Sequence, residues 1–177
     1  MKYLLTTIAF LISPLNLFSQ DTPVTAPSIQ LNATQVAALD EAKKLNIKVV
    51  ELYNQQKYGD AVKAANQIPA LIETNGLVDN QAALAILTSV GEVLLIKGKE
   101  SDAIALFEIV LKAYERKLGE NSVPVTVVTE KIARAYLNKS DHGKAERYGL
   151  KFVALAEKAY GPESKKLAKA YSFLGDI

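Results

Sequence analysis

The chain contains no cysteine and a single histidine, His142. Without cysteine there is no disulfide, no thiolate nucleophile and no Cys-ligated metal, and one histidine cannot build a multi-histidine metal site. Neither sign of charge dominates. Lys and Arg number 21 against 19 Asp and Glu, so the chain has no general attraction for nucleic acid or an anionic membrane. Aromatics make up 7% of the chain and alanine is abundant, which favours helices over a β-sandwich. Nine Gly and six Pro are too few for a collagen-like chain, and a hydrophobic content of 49% is too high for wholesale disorder. The length, 177 residues, suits one ordinary domain or a short repeat array.

Long apolar runs are also missing. Lys2 supplies a positive start, residues 3–12 are largely apolar, and Ser13 and Pro14 follow. A run of about ten apolar residues is too short to span a bilayer and fits the core of a secretory signal. The competing reading is an uncleaved anchor, since residues 3–18 are apolar apart from Thr6, Thr7, Ser13 and Asn16. Pro14 breaks that helix, so a signal peptide over residues 1–19 is expected, cut between Ser19 and Gln20. The product is then exported to a periplasm or outside the cell, with no stable membrane insertion after cleavage. Pro23 and Pro27 hold their neighbours extended, and residues 20–33 read as a tether.

The remainder, residues 34–177, carries an internal repeat. Gly119-Glu120-Asn121-Ser122 aligns with Gly161-Pro162-Glu163-Ser164 at a shift of 42 residues. Ala61, Ala103 and Ala145 keep that register, as do Leu52, Leu94 and Tyr136, and Glu73, Glu115 and Glu157. The units fall at about 36–77, 78–119 and 120–161, with a partial fourth at 162–177.

Each unit reads as two helices. In the second, Asp79 or Asn80 caps a helix with Leu84, Leu87, Val90, Gly91, Leu94 and Leu95 on one side, and Gly98 ends it. Ser101 is expected to cap the next, whose stripe is Ile104, Phe107, Val110, Leu111, Tyr114 and Leu118. Gly119 is expected to stop that helix in the left-handed conformation. In the third unit Ser122 caps, Pro124 sits in the first turn, and Asp141-His142-Gly143 forms the turn between helices. The first unit predicts a helix over 34–56, with Val36, Leu39, Val49, Leu52 and Tyr53, and a second over 60–74 kinked by Pro69.

These units resemble the tetratricopeptide repeat, whose signature is W-x2-L-G-x2-Y followed by A-x3-F. Unit two gives Leu87-x2-Val90-Gly91-x2-Leu94 and Ala103-x3-Phe107. Unit three gives Thr129-x2-Ile132-Ala133-x2-Tyr136 and Ala145-x3-Gly149, and the final stretch gives Tyr171-x2-Leu174-Gly175. The family's usual spacing is about 34 residues. The longer spacing here, with a G-x-x-S element between units, resembles the kinesin light chain type. HEAT and armadillo repeats share the spacing but lack the A-x3-F entry. The resemblance implies an all-α, right-handed solenoid of antiparallel helix pairs, whose first helices line a concave side that takes a partner's peptide or helix. By register, the groove positions are Lys43, Asn46, Val50, Tyr53 and Asn54 in unit one. In unit two they are Ala85, Thr88, Glu92, Leu95 and Ile96, and in unit three Val127, Glu130, Arg134, Leu137 and Asn138. The candidate partner-binding set is Tyr53, Asn54, Glu92, Leu95, Glu130, Arg134 and Asn138.

No catalytic constellation is present. There is no G-x-S-x-G, no glycine-rich phosphate loop and no His-x-x-x-His. His142 reads as turn filler rather than a general base. No cofactor, metal or nucleic acid is implied. The expectation is an exported, non-enzymatic scaffold for a protein or peptide partner. The alternative is the front repeat module of a larger protein, because the fourth signature stops at Leu174-Gly175, with enzymatic or envelope-linked activity carried by a following domain.

Overall fold

The computed structural model describes residues 30–177. The expected signal segment, 1–19, and residues 20–29 of the expected tether lie outside the described residues. Within them the chain forms helices and no strand: α1 (Ala33–Asn54), α2 (Tyr58–Ala65), α3 (Gln67–Thr74), α4 (Gln81–Ile96), α5 (Glu100–Leu118), α6 (Val123–Asn138), α7 (His142–Tyr160) and α8 (Lys165–Gly175). Each helix from α4 onward packs on the next, and α4 also meets α1. This is an all-α solenoid. No helix among the described residues is long and apolar enough to cross a membrane.

The 42-residue register is written into the turns. Gln56, Gly98 and Ser140 stand one register apart, and all have positive φ, at 61°, 68° and 61°. After each, an N–H reaches back to the helix: Lys57 to the Leu52 carbonyl, Lys99 to Leu94 and Asp141 to Tyr136, each at 2.9 Å. The N–H groups of Gln56, Gly98 and Ser140 themselves donate to Tyr53, Leu95 and Leu137. Both bonds together make the Schellman end, which satisfies carbonyls the helix leaves open and turns the chain back on itself.

The turn between pairs differs from expectation. Gly119 and Gly161 have positive φ, but with ψ of 156° and 169° they are extended rather than left-handed helical. That region is open almost only to glycine. It lets the chain leave the second helix and run straight to the next cap. Asn80 caps α4 through the Ala83 N–H, and Ser164 caps α8 through the Lys166 N–H. Ser122 stands at the same place before α6, but its hydroxyl is buried without a partner. Ser101 is not a cap. Helix α5 starts one residue earlier, at Glu100, and the Ser101 hydroxyl accepts from Lys139. His142 is the first residue of α7 rather than a turn residue, because Asp141 caps that helix through the Lys144 N–H.

Pro69 does more than kink the second helix of unit one. The helix is divided into α2 and α3 at Asn66, one turn upstream. Proline has no N–H for the carbonyl four residues back, and its ring crowds that carbonyl.

One main core runs from α1 to α7, and a smaller cluster of Phe152, Val153, Ala156, Leu167 and Ala170 joins α7 to α8. Val36 and Leu118, expected to face inward, are exposed; both lie in a terminal turn of their helices. The A-x3-F element is explained by packing. A Cβ on Gly91 would lie 2.5 Å from Cε1 of the fully buried Phe107 ring. Glycine in α4 is therefore the seat for the α5 phenyl. In unit three the phenyl position is Gly149, and its space is taken from the other side by Phe173 and Leu174 of α8.

Candidate functional site

The first helices of successive pairs, α1, α4, α6 and α8, supply the candidate groove. Their ties recur at an offset three residues short of the repeat, which is close to one helical turn. Lys131 of α6 pairs with Glu92 of α4, and Lys169 of α8 reaches Glu130 of α6 at 2.8 Å. The Arg134 guanidinium lies 5.4 Å from the Phe173 ring centroid. Lys131 and Lys169 were not among the sequence candidates, and that offset is the signal by which they are found.

The nominated residues divide into two groups. Glu92, Glu130 and Arg134 are engaged inside the chain: Arg134 Nε donates to Glu130 Oε1 at 3.0 Å while Glu130 also takes Lys169. Tyr53 is buried, edge-on to Tyr58 at 5.4 Å, with the Lys97 ammonium 4.8 Å from its ring. Burial, and secondly the neighbouring Tyr58, raise the Tyr53 hydroxyl above its ordinary range. Leu95 is half-buried against the core. Asn54 and Asn138, by contrast, are exposed. With Ile96, also exposed, they form a row in 42-residue register: Asn54, Ile96, Asn138.

The remaining register positions are mostly spoken for. Lys43 pairs with Asp40 at 2.9 Å, and Thr88 donates to the Leu84 carbonyl at 2.8 Å. Val50, Ala85, Val127 and Leu137 are half-buried, and the Asn46 Oδ1 is buried without a partner. Among the described residues no three His, Asp or Glu side chains gather where a metal could be held.

Glu130 links this geometry to pH. Burial alone would raise its pKa, but Lys169 and then Arg134 outweigh burial and hold the carboxyl below its usual value of 4.5. A carboxylate depressed in the folded state stabilises fully above its unfolded pKa and loses that stabilisation as pH falls through the folded value. Glu130→Gln is therefore expected to cost about 1 kcal/mol at neutral pH and nothing in strong acid. Urea midpoints recorded from pH 7 down through the carboxylate range read this out, and a parallel offset at every pH would refute it.

Neither a protein-family model nor a curated protein sequence matches the chain. Among solved structures, the crystal structure of BtubC (BKLC) from P. vanneervenii matches with a TM-score of 0.66 at 15% sequence identity. The match covers 76% of this chain and 54% of that one. The chain thus spans about half the length of that protein. At this identity the likeness concerns fold alone, and it agrees with a helical solenoid compatible with the tetratricopeptide-like reading of the repeats.

Proposed function

We propose that the chain is an exported, non-enzymatic scaffold that holds a protein or peptide partner along the row formed by the ends of its first helices. The observation that carries this reading is the row Asn54, Ile96 and Asn138, three exposed positions at one register spacing. Among the described residues neither Asn side chain has a hydrogen-bond partner in the chain. An amide pair bracketing an apolar side chain suits an extended segment: each Asn offers a donor and an acceptor to its backbone, and Ile96 covers an apolar side chain between them. Glu92, Glu130 and Arg134 act as positioning residues that fix the spacing of the row. Their charges are already neutralised, so the partner is held by amide and apolar contact more than by ion pairs. Export rests on the character of residues 1–19.

The test is capture of a partner from an envelope extract by the purified chain. The triple change Asn54→Ala, Ile96→Ala and Asn138→Ala is expected to abolish capture while leaving the thermal midpoint within about 2 °C, since the sites are exposed. Capture that survives the triple change would remove the row from the mechanism.

A further inference from the structure

Asn75-Gly76 is the one Asn-Gly pair in the sequence. Asparagine before glycine is chemically vulnerable: with no Cβ on the second residue, its backbone nitrogen can approach the side-chain amide carbon of the first. The pair sits at the end of α3, where Gly76 has a φ of 62°. The Gly76 N–H donates to the Glu73 carbonyl at 3.0 Å and the Leu77 N–H to the Ile72 carbonyl at 2.9 Å. The glycine that makes the sequence reactive therefore also closes the helix. The turns after α5 and α7 read Leu118-Gly119 and Tyr160-Gly161, with no amide before the glycine.

The fold holds this pair away from reaction. Besides the engaged Gly76 nitrogen, Asn75 Nδ2 is tied to the Leu71 carbonyl at 2.8 Å. Closing a five-membered ring requires the Asn75 Cβ and the Gly76 nitrogen on the same side of the Cα–C bond, and the Asn75 ψ of 11° keeps them apart. That angle is fixed from another helix. Gln35 Nε2 of α1 donates to the Asn75 backbone carbonyl at 3.2 Å, and ψ cannot turn while this carbonyl is held. Gln35 Oε1 accepts in turn from the Asn32 N–H at 3.2 Å, inside the capping box of α1. Gly76 itself is exposed, so water has access to the turn.

We infer that Asn75 is a spontaneous modification site gated by Gln35, at which the amide becomes aspartate or isoaspartate when α1 lifts from α3. The Gly76 nitrogen gives up its proton and attacks Asn75 Cγ. The N–Cγ bond forms, the Cγ–Nδ2 bond breaks, and ammonia leaves with that proton. Water then opens the succinimide at either carbonyl, giving aspartate or, with the backbone rerouted through Cγ, isoaspartate. The product no longer suits the turn. A carboxylate replaces the Nδ2 donor that faced the Leu71 carbonyl, and its charge lies at the C-terminus of α3, where the helix dipole disfavours it. Modification thus loosens the seat of α1 on α3. The site lies at the opposite end of α1 from Asn54, so it and the Asn54–Ile96–Asn138 row stand or fall separately.

The purified chain is kept in mildly alkaline buffer, native and in urea, while Asn75 is followed by peptide mass and isoaspartate content. Conversion is expected to be at least tenfold faster in urea. Gln35→Ala should raise the native rate at least fivefold. Gln35→Glu, which keeps the acceptor for Asn32 but lacks the donor, should do the same. Asn32→Ala removes the cap on the Gln35 N–H but spares the Gln35–Asn75 bond, and should leave the rate unchanged. An Asn75→Asp chain should exchange the amides of α3 and of the start of α1 faster than wild type. Four results would overturn the inference: equal conversion in native and unfolded chain, a native rate indifferent to Gln35→Ala, unchanged exchange in Asn75→Asp, or Asn32→Ala as fast as Gln35→Ala. The last would make fraying of α1, rather than the Gln35 contact, the gate.

Discussion

Phe107→Ala is expected to lower the stability of the chain by about 3–5 kcal/mol, the range for emptying a well-packed phenyl site. The ring is fully buried in the main core and sits against Gly91, where no side chain can follow it inward. Backbone cannot collapse as a flexible side chain can, so the hole stays largely open. The converse change, Gly91→Leu, forces atoms to within 2.5 Å of that ring and is expected to be comparably damaging through overpacking. The two changes together should be milder than their sum, because the leucine enters the space the phenyl has left. A double-mutant cycle from urea unfolding measures this coupling. Strict additivity would mean that Gly91 and Phe107 do not share one space. If either single variant fails to fold, Phe107→Leu in the Gly91→Ala background gives the same comparison at smaller cost.

Gly149→Phe should release α8 while leaving the preceding pairs folded. The new Cβ would lie 2.8 Å from Leu174 Cδ2 and 3.1 Å from Phe173 Cε1, so one side must yield. Among the described residues no helix packs on the far side of α8, so α8 is the element expected to yield. Helix α8 is fastened by the small cluster with α7, by Lys169 to Glu130 and by the Arg134 contact with Phe173. The half-exposed Lys169–Glu130 pair is worth about 1 kcal/mol at most, so losing the Phe173 seat removes most of the attachment. Hydrogen exchange is expected to show amides of α8 losing protection by at least a hundredfold, with α4, α5 and α6 unchanged. Adding Phe173→Ala should restore part of that protection by making room. Full protection of α8 in the single variant would show that Phe173 is held by something other than the gap at Gly149.

The fold was largely legible because its period is carried by residues whose physics is local. Gly119 and Gly161 occupy a backbone region that other residues avoid, so they mark unit ends in sequence as they do in space. Gln56 and Ser140 were harder, since only Gly98 among the three turn positions announces its positive φ. Pro69 showed that the first unit is irregular, but the interruption falls at Asn66, just after the Ala65 carbonyl that Pro69 cannot bond, rather than at the ring. Ser101 and Ser122 look like caps because serine often is one. Whether a hydroxyl caps depends on where the helix starts, and for Ser101 the Lys139 ammonium competes for it.

The candidate site was legible only as a face. Register with the resembled family assigned Tyr53, Glu92, Glu130 and Arg134 to the groove side of the first helices, but it carries no information about the contacts of the next helix. Lys131, Lys169 and Phe173 are what engage Glu92, Glu130 and Arg134, and they become visible only when α6 and α8 are laid beside their neighbours. Asn54 and Asn138 remain open because they sit in the last turn of their helices, past the reach of those partners.

Among the described residues the ion pairs that reach beyond one helix bridge similar lengths of polypeptide: 37 residues from Asp79 to Arg116, 39 from Glu92 to Lys131, 36 from Glu115 to Lys151 and 39 from Glu130 to Lys169. No tie waits for the far end of the molecule. During synthesis each layer can close as soon as the next one has left the ribosome, and the nascent chain need never hold more than about one layer of apolar surface open to water.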